Sequence, residues 1–323
     1  MSIRVFIQTD KFKGGPAVFR SRLISALNKF EDIEIITNVQ KKFDIELAFI
    51  RRVYKHNKPY ILRVDGCYYQ KDRKSGNRLL EKAILGSKHL IFQSKFSFNL
   101  CRHVLDIDKR VKNKLNYSII HNGIDMEYLR KIKVSQEIEP GSFVAAARWR
   151  DNKRTFSIMK GFIKANTERH LYMIGGVGLG AKNNYKAKMK RFASKSKYVH
   201  MLGKKTPKET ISILKACDYQ IHLCHIDSCP NIVIEGLCCG LNVLCTNLGG
   251  TSELVEENGV ILDIDKIWEG KYLSSSVVLD SLSSKKVAKG IQKLLSVKNK
   301  PCVNRFDIDI VAEKYVKIIR DNV

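Results

Sequence analysis

The residues from His222 to Val255, HLCHIDSCPNIVIEGLCCGLNVLCTNLGGTSELV, bring two carboxylates, a helix start and a Gly-Gly turn into one short length of chain. The carboxylates are Asp227 and Glu235. Tyr219 to Cys224 is short, apolar and aromatic and predicts a buried strand; Pro230, at a first helical position, then opens a helix through Cys239 that stops at Gly240. Asp227 is therefore expected in the loop and Glu235 inside the helix. The first amides of that helix, at Asn231, Ile232 and Val233, have no partner within it and carry the positive end of its dipole, which predicts a seat for a phosphate or another anion. Carboxylates are the wrong groups for holding phosphate and the right ones for gripping hydroxyls, because an ionised carboxylate only accepts hydrogen bonds. Phosphates in the middle with hydroxyls at both ends describe a sugar nucleotide.

An acidic pair at this spacing is, by itself, more often two solvated surface charges. Glu235 is different because Ile232, Val233, Ile234, Leu237 and Cys238 surround it, so it either faces a cleft or is buried with a partner. A second constellation is FVAAARWRDNKR, residues 143–154, in which a strand ends in a basic loop at the place where open α/β sheets put ligand contacts. Arg148 offers a planar fork and Lys153 a point charge, a pair suited to stabilising a departing diphosphate without a metal. A solvated loop explains the same residues equally well, and Arg150 and Arg154 receive no role. Gly14 and Gly15, after the first strand and before a helix-like run, allow backbone to approach a phosphate, although a tight turn accounts for them too.

Taken together these elements resemble glycosyltransferase family 4, GT-B enzymes whose donor signature is a Glu, seven residues, a second Glu, a "CG.PV" turn and then "GG..E". This chain has Asp227, seven residues, Glu235, Cys239-Gly240-Leu241-Asn242-Val243, Gly249-Gly250 and Glu253. It departs in having Asp first and Asn242 where Pro is usual. The resemblance runs over nearly the whole chain, most specifically residues 143–255. It implies transfer of a sugar from a nucleotide-diphosphate donor to a glycan or lipid-linked acceptor with retention of configuration. Asp227 would orient the sugar, Glu235 hold the ribose hydroxyls, Arg148 and Lys153 (similar to "GR....KG") grip the diphosphate, and Gly14 and Gly15 face it across a cleft. Asp65, ending a strand as RVDG, stands about where relatives carry an acceptor-side His or Asp, although an Asp-Gly after a strand is more often a turn. His121-Asn122-Gly123-Ile124-Asp125 resembles the "NG.D" turn. No cofactor and no metal are implied; the nucleotide sugar is a substrate.

To hold these residues the chain needs an α/β architecture. Strand-like runs occur at 3–7, 33–36, 45–49, 60–64, 89–92 and 117–120, and again at 143–147, 171–174, 198–202, 219–224, 242–245 and 260–262, with helical patterns between them. The alternation predicts two doubly wound, Rossmann-like domains facing a cleft: an acceptor domain, 1–138, a donor domain, 139–306, and a helix, 307–323, that the resemblance implies crosses back. The polar run 131–141 is the expected linker.

At 323 residues two domains are expected, and 44% hydrophobic residues exclude a disordered chain. No apolar run reaches membrane-spanning length and the N-terminus carries no signal pattern, so a soluble cytoplasmic protein is expected. Nine cysteines without a C-x-x-C pair argue against a disulfide framework and a zinc site. The net charge of +26, spread over both halves, suggests an anionic partner or mere compositional drift. Lys11, Lys13, Arg51, Arg52, Lys55, Lys58, Lys71, Arg73 and Lys74 would carry an anionic acceptor or peripheral contact with a membrane; nucleic acid is disfavoured. Three D-x-D triplets, starting at Asp106, Asp263 and Asp307, are assigned to chance. The competing readings are a nucleotide-sugar epimerase and a non-catalytic basic binding protein; a phosphorylase is disfavoured, as no lysine anchor for pyridoxal is evident.

Overall fold

The computed structural model describes residues 2–9, 14–107, 115–178, 180–264, 282–299, 301 and 303–323. They form two compact units, one containing the chain up to Asp125 and from Asn304 onward, the other beginning at Met126 and ending at Val303. Lys11 and Lys13 lie outside the described residues. The change-over precedes the polar run 131–141, whose Ile132 and Ile138 are buried and whose Ser135 amide donates to Ser212 of the second unit. A run that is polar by composition is thus pinned by two apolar anchors.

The first unit is a parallel sheet of β1 (Ile3–Phe6), β2 (Ile33–Ile36), β3 (Ile45–Phe49), β4 (Tyr60–Val64), β5 (His89–Phe92) and β6 (Tyr117–Ile119), ordered β2-β1-β3-β4-β5-β6. β3, β4 and β5 are buried at every position, which is why they read as unbroken apolar runs. On one face the helices Gly15–Leu27 and Ile308–Arg320 share a core with the sheet through Phe19, Leu23, Val311 and Tyr315. On the other, Asn77–Leu85 and Lys95–Leu105 pack through Leu80, Ile84, Phe98 and Val104. The last helix is tied down at its start: Ile124 N–H donates to Phe306 O at 2.8 Å, and Ile308 N–H to Ile124 O at 2.9 Å.

The second unit repeats the plan with β7 (Phe143–Ala146), β8 (Leu171–Ile174), β9 (Val199–Gly203), β10 (Tyr219–His222), β11 (Asn242–Thr246) and β12 (Gly259–Leu262), ordered β12-β11-β10-β7-β8-β9, all parallel. Helices Thr155–Ala165 and Ser284–Leu294 cover one face through Ile158, Phe162, Val287 and Ile291. Helix Pro207–Ala216 begins with a capping box, Thr206 and Glu209 each satisfying the other's backbone amide. Among the described residues no helix is long and apolar enough to cross a membrane.

Sheet order fixes where a ligand can sit. In the second unit the chain runs outward from β7 through β8 to β9 and then returns to β7's other side with β10. The loops leaving the carboxyl ends of β7 and β10 therefore diverge and open a crevice, the usual ligand position of a doubly wound sheet.

Candidate active site

The β7 loop (147–154) and the β10 loop (223–230) meet at this crevice and are stitched together. His225 N–H donates to Asn152 O at 2.7 Å. The buried Arg154 guanidinium donates to the carbonyls of Leu223 and Cys224, each at 3.3 Å, and lies 3.2 Å from His225 Nδ1. Arg154 adopts a left-handed backbone, φ 48°, ψ 39°, which an L residue keeps only when its surroundings hold it there. Its guanidinium ties together two consecutive loop carbonyls and a histidine, so the residue left without a role in the sequence is the brace of the site.

Lys153 and Asp227, 74 residues apart, form the centre. The Lys153 ammonium donates to Asp227 Oδ2 at 3.0 Å and to Cys224 Sγ at 3.1 Å, with side chains 16% and 27% exposed for Lys153 and Asp227. Burial opposes the lysine's charge, but its contacts with Cys224 and Asp227 prevail and raise its pKa above the ordinary lysine value. Burial raises the Cys224 thiol, against the pull of Lys153. His222, at the end of β10, is buried, with Nε2 3.9 Å from Asp227 Oδ2. Burial and then Lys153 push its imidazole down to about 4 despite Asp227, so it is neutral near pH 7.

The Gly249-Gly250 turn positions Asp227 from the other side. Gly250 N–H donates to Asp227 O at 2.8 Å, and Gly249 has φ +119°. A Cβ there would lie 2.8 Å from Asp227 O and 3.1 Å from its N, so only glycine lets the turn close on the acid's backbone. The "GG" of the resemblance thus acts on the loop that presents the carboxylate.

The helix after the loop spans Asn231–Cys238, with Pro230 as its N-cap rather than its first turn. Asn231, Ile232 and Glu235 are partly exposed, and Val233 is buried. One expectation fails: Val233 N–H donates to Pro230 O at 3.0 Å, so it is no orphan amide. The first turn closes on the proline carbonyl and removes that donor from the anion seat. Arg148 is exposed on the β7 loop, whose next residue is fixed by Trp149 N–H donating to Gly176 O and Gly178 N–H to Trp149 O, each at 2.9 Å. The structure therefore brings Lys153 and Asp227 into contact and leaves Arg148 facing solvent on the same loop.

In the first unit Gly14 N-caps helix Gly15–Leu27 with φ +84° and ψ −151°, a backbone that glycine alone adopts readily, and a Cβ there would meet nothing within 4 Å. Asp65 is held by the fully buried Arg63, which also donates to Gln93 Oε1 at 3.0 Å and Asn122 Oδ1 at 2.6 Å. Burial raises the Asp65 carboxyl and Arg63 opposes the rise. The carboxylate thus compensates a buried guanidinium, and the Asn of the "NG.D" turn serves the same cation. Arg52 is not a surface cation: it bonds the buried Glu46 at 2.8 Å and stacks over Tyr60, whereas Arg51, Lys55, Lys58, Lys71, Arg73 and Lys74 are exposed. Of the D-x-D triplets, Asp307 N-caps the last helix and Asp309 bonds Lys29 at 2.7 Å; Asp108 and Asp265, the second acids of the other two, lie outside the described residues.

His222, Cys224, Arg154 and His225 were not singled out from sequence. A usable signal existed for two of them: His222 and Cys224 alternate at the end of a strand, so they share a side. Nothing local marks Arg154, because a left-handed residue is usually announced by Gly or Asn.

Comparison with known proteins bears on the family and the fold. A family model described as Glycosyl transferases group 1 matches residues 130–302, more than half of the chain. An uncharacterized glycosyltransferase of Methanocaldococcus jannaschii is 25% identical over 261 residues, covering 73% of this chain and 68% of that protein. Sucrose-phosphate synthase from Thermosynechococcus elongatus superposes with a TM-score of 0.72 at 10% identity, covering 99% of both chains. The Anabaena protein HepE, in complex with UDP, superposes with a TM-score of 0.69 at 14% identity, over 99% of this chain and 100% of that one. The structural likenesses speak for the fold, the family match for membership: the chain is a GT-B protein and belongs to the glycosyl transferases group 1.

Proposed function

We propose that this glycosyltransferase moves a sugar from a nucleotide-diphosphate sugar to a glycan or lipid-linked acceptor, with retention and without a metal. The observation that carries the reading is the Lys153–Asp227 contact at the sheet's crevice beside a helix start. It joins a cation for a leaving diphosphate to an acceptor for sugar hydroxyls. A complex of the Anabaena neighbour with UDP supports a nucleotide ligand.

The acceptor hydroxyl attacks the anomeric carbon from the face that the diphosphate leaves. Two hydrogens of the Lys153 ammonium are used by Asp227 and Cys224, which leaves the third for the diphosphate, so that one group would span leaving group and sugar-binding acid. Arg148, exposed and braced by the 176–178 turn, shares the developing charge. Asp227 orients the sugar, Glu235 takes the ribose hydroxyls, and the amides of Asn231 and Ile232 face the phosphates. In the first unit Gly14 and Gly15 are donor contacts, and Asp65, held by Arg63, orients the acceptor hydroxyl.

Incubation with a panel of sugar nucleotides should reveal slow donor hydrolysis by one of them, undiminished by EDTA. No hydrolysis of any donor would overturn the assignment. Loss in EDTA with recovery in Mn²⁺ would overturn the metal-free mechanism.

A further inference from the structure

Beside Lys153 lie two groups that the transfer reaction does not use. The buried His222 has an Nε2 with no hydrogen-bond partner, directed toward Asp227. Cys224 is buried on the same side. One ligand atom each of His222, Cys224 and Asp227 lies within 4.8 Å of the other two; among the described residues no other set of three His, Cys, Asp or Glu side chains converges in this way. Lys153 Nζ, 3.0 and 3.1 Å from two of the three, already puts a cation among them.

We propose that His222, Cys224 and Asp227 bind a thiophilic divalent cation, zinc above all, in competition with the Lys153 ammonium. Imidazole, thiolate and carboxylate together are zinc ligands, whereas magnesium and calcium take oxygen sets. Zinc bonds of about 2.0 to 2.3 Å in a tetrahedron place ligand atoms roughly 3.3 to 3.8 Å apart, so the three atoms must close by about 1 Å. Two of them sit in a loop, and His222, at a strand end, is the fixed one. The imidazole Nε2 has no hydrogen-bond partner and offers the metal its ring nitrogen. On binding, the Cys224 S–H bond breaks, its proton goes to solvent, the thiolate bonds zinc, and water takes the fourth position; nothing is oxidised or reduced. Lys153 swings out on its flexible four-carbon stem.

The site stands on geometry alone. Its consequence rests on the proposed function: zinc would take Asp227 from the sugar and Lys153 from the diphosphate, and so switch the donor site off.

Cobalt(II) added to the EDTA-treated protein is the probe, because a thiolate ligand gives a charge-transfer absorption that zinc then abolishes. Cys224→Ser should remove the band, His222→Gln should weaken binding at least tenfold, and Lys153→Met should tighten it at least tenfold. Near-UV circular dichroism checks that each variant folds; should Cys224→Ser not fold, the other two carry the test, since they move affinity in opposite directions. Absence of the band in the parent, its persistence in Cys224→Ser, or weaker binding by Lys153→Met would overturn the proposal. If the predicted pattern appears yet zinc leaves nucleoside diphosphate binding unchanged, the metal site stands and the assignment of Lys153 to the diphosphate falls.

Discussion

Separating Lys153 from Asp227 tests the proposed function most directly, because the two are in contact and are assigned opposite parts. If Lys153 holds the diphosphate as proposed, Lys153→Met should cost a charge-assisted hydrogen bond worth about 1.5 to 3 kcal/mol net, or about 10- to 150-fold in Kd. The lysine is mostly buried, so solvent screening should not erase this. The variant also leaves Asp227 facing the phosphates with its counter-charge gone. Asp227→Asn acts the other way. It frees the ammonium from its ion pair, so nucleoside diphosphate should bind at least as tightly as to the parent, while turnover collapses for want of sugar orientation. In the double variant the repulsion from Asp227 is absent, and part of the affinity lost in Lys153→Met returns. Isothermal titration with the nucleoside diphosphate of the preferred donor, paired with single-turnover rates, reads both quantities. Should Asp227→Asn lose diphosphate affinity as steeply as Lys153→Met, the division of labour between them is wrong.

Glu235→Ala should weaken nucleoside diphosphate by about 1.5 to 3 kcal/mol, since ribose is bound with or without the sugar; unchanged calorimetric binding in a folded variant would remove it from the donor site. His222 has a folded pKa of about 4, below its unfolded value of about 6.5, so on acidification the unfolded chain gains a proton first and stability falls through that window. Between pH 7 and pH 5 the loss should be about 2 kcal/mol, measured by urea unfolding in EDTA, and His222→Gln should flatten it; an equally steep fall in the variant would assign the dependence elsewhere. The exposed Arg51, Lys55, Lys58, Lys71, Arg73 and Lys74 should draw the protein to anionic liposomes at low salt, at about 1 kcal/mol per charge near the surface, and release it at high salt. Equal, negligible sedimentation with anionic and neutral liposomes would leave the +26 without a membrane role.

Much of this fold is written locally. A parallel strand buried on both faces must be apolar throughout, so runs such as YILRV and HLIF mark strands at residue resolution. The loop acids, the glycine turn and the basic loop were legible for the same reason: each is a short-range pattern with a chemical use. Their meeting was not. Lys153 and Asp227 touch because β10 returns beside β7, and strand order is a property of the whole sheet that no window of sequence carries. The same holds for the charges that changed meaning. Arg52 looked like a surface cation until Glu46, apparently mid-strand, proved to be a buried ion needing a partner, and Asp65 has the buried Arg63 beside it, a neighbour that no local pattern announces. Arg154 shows the limit most sharply: neither its left-handed backbone nor the carbonyls it satisfies can be inferred from its neighbours in sequence, yet the loop presenting Cys224 and Asp227 hangs from its guanidinium. A charged residue that composition assigns to solvent can thus be the one holding an active site in register, and buried ions of this kind are found only by asking where each loop's carbonyls go.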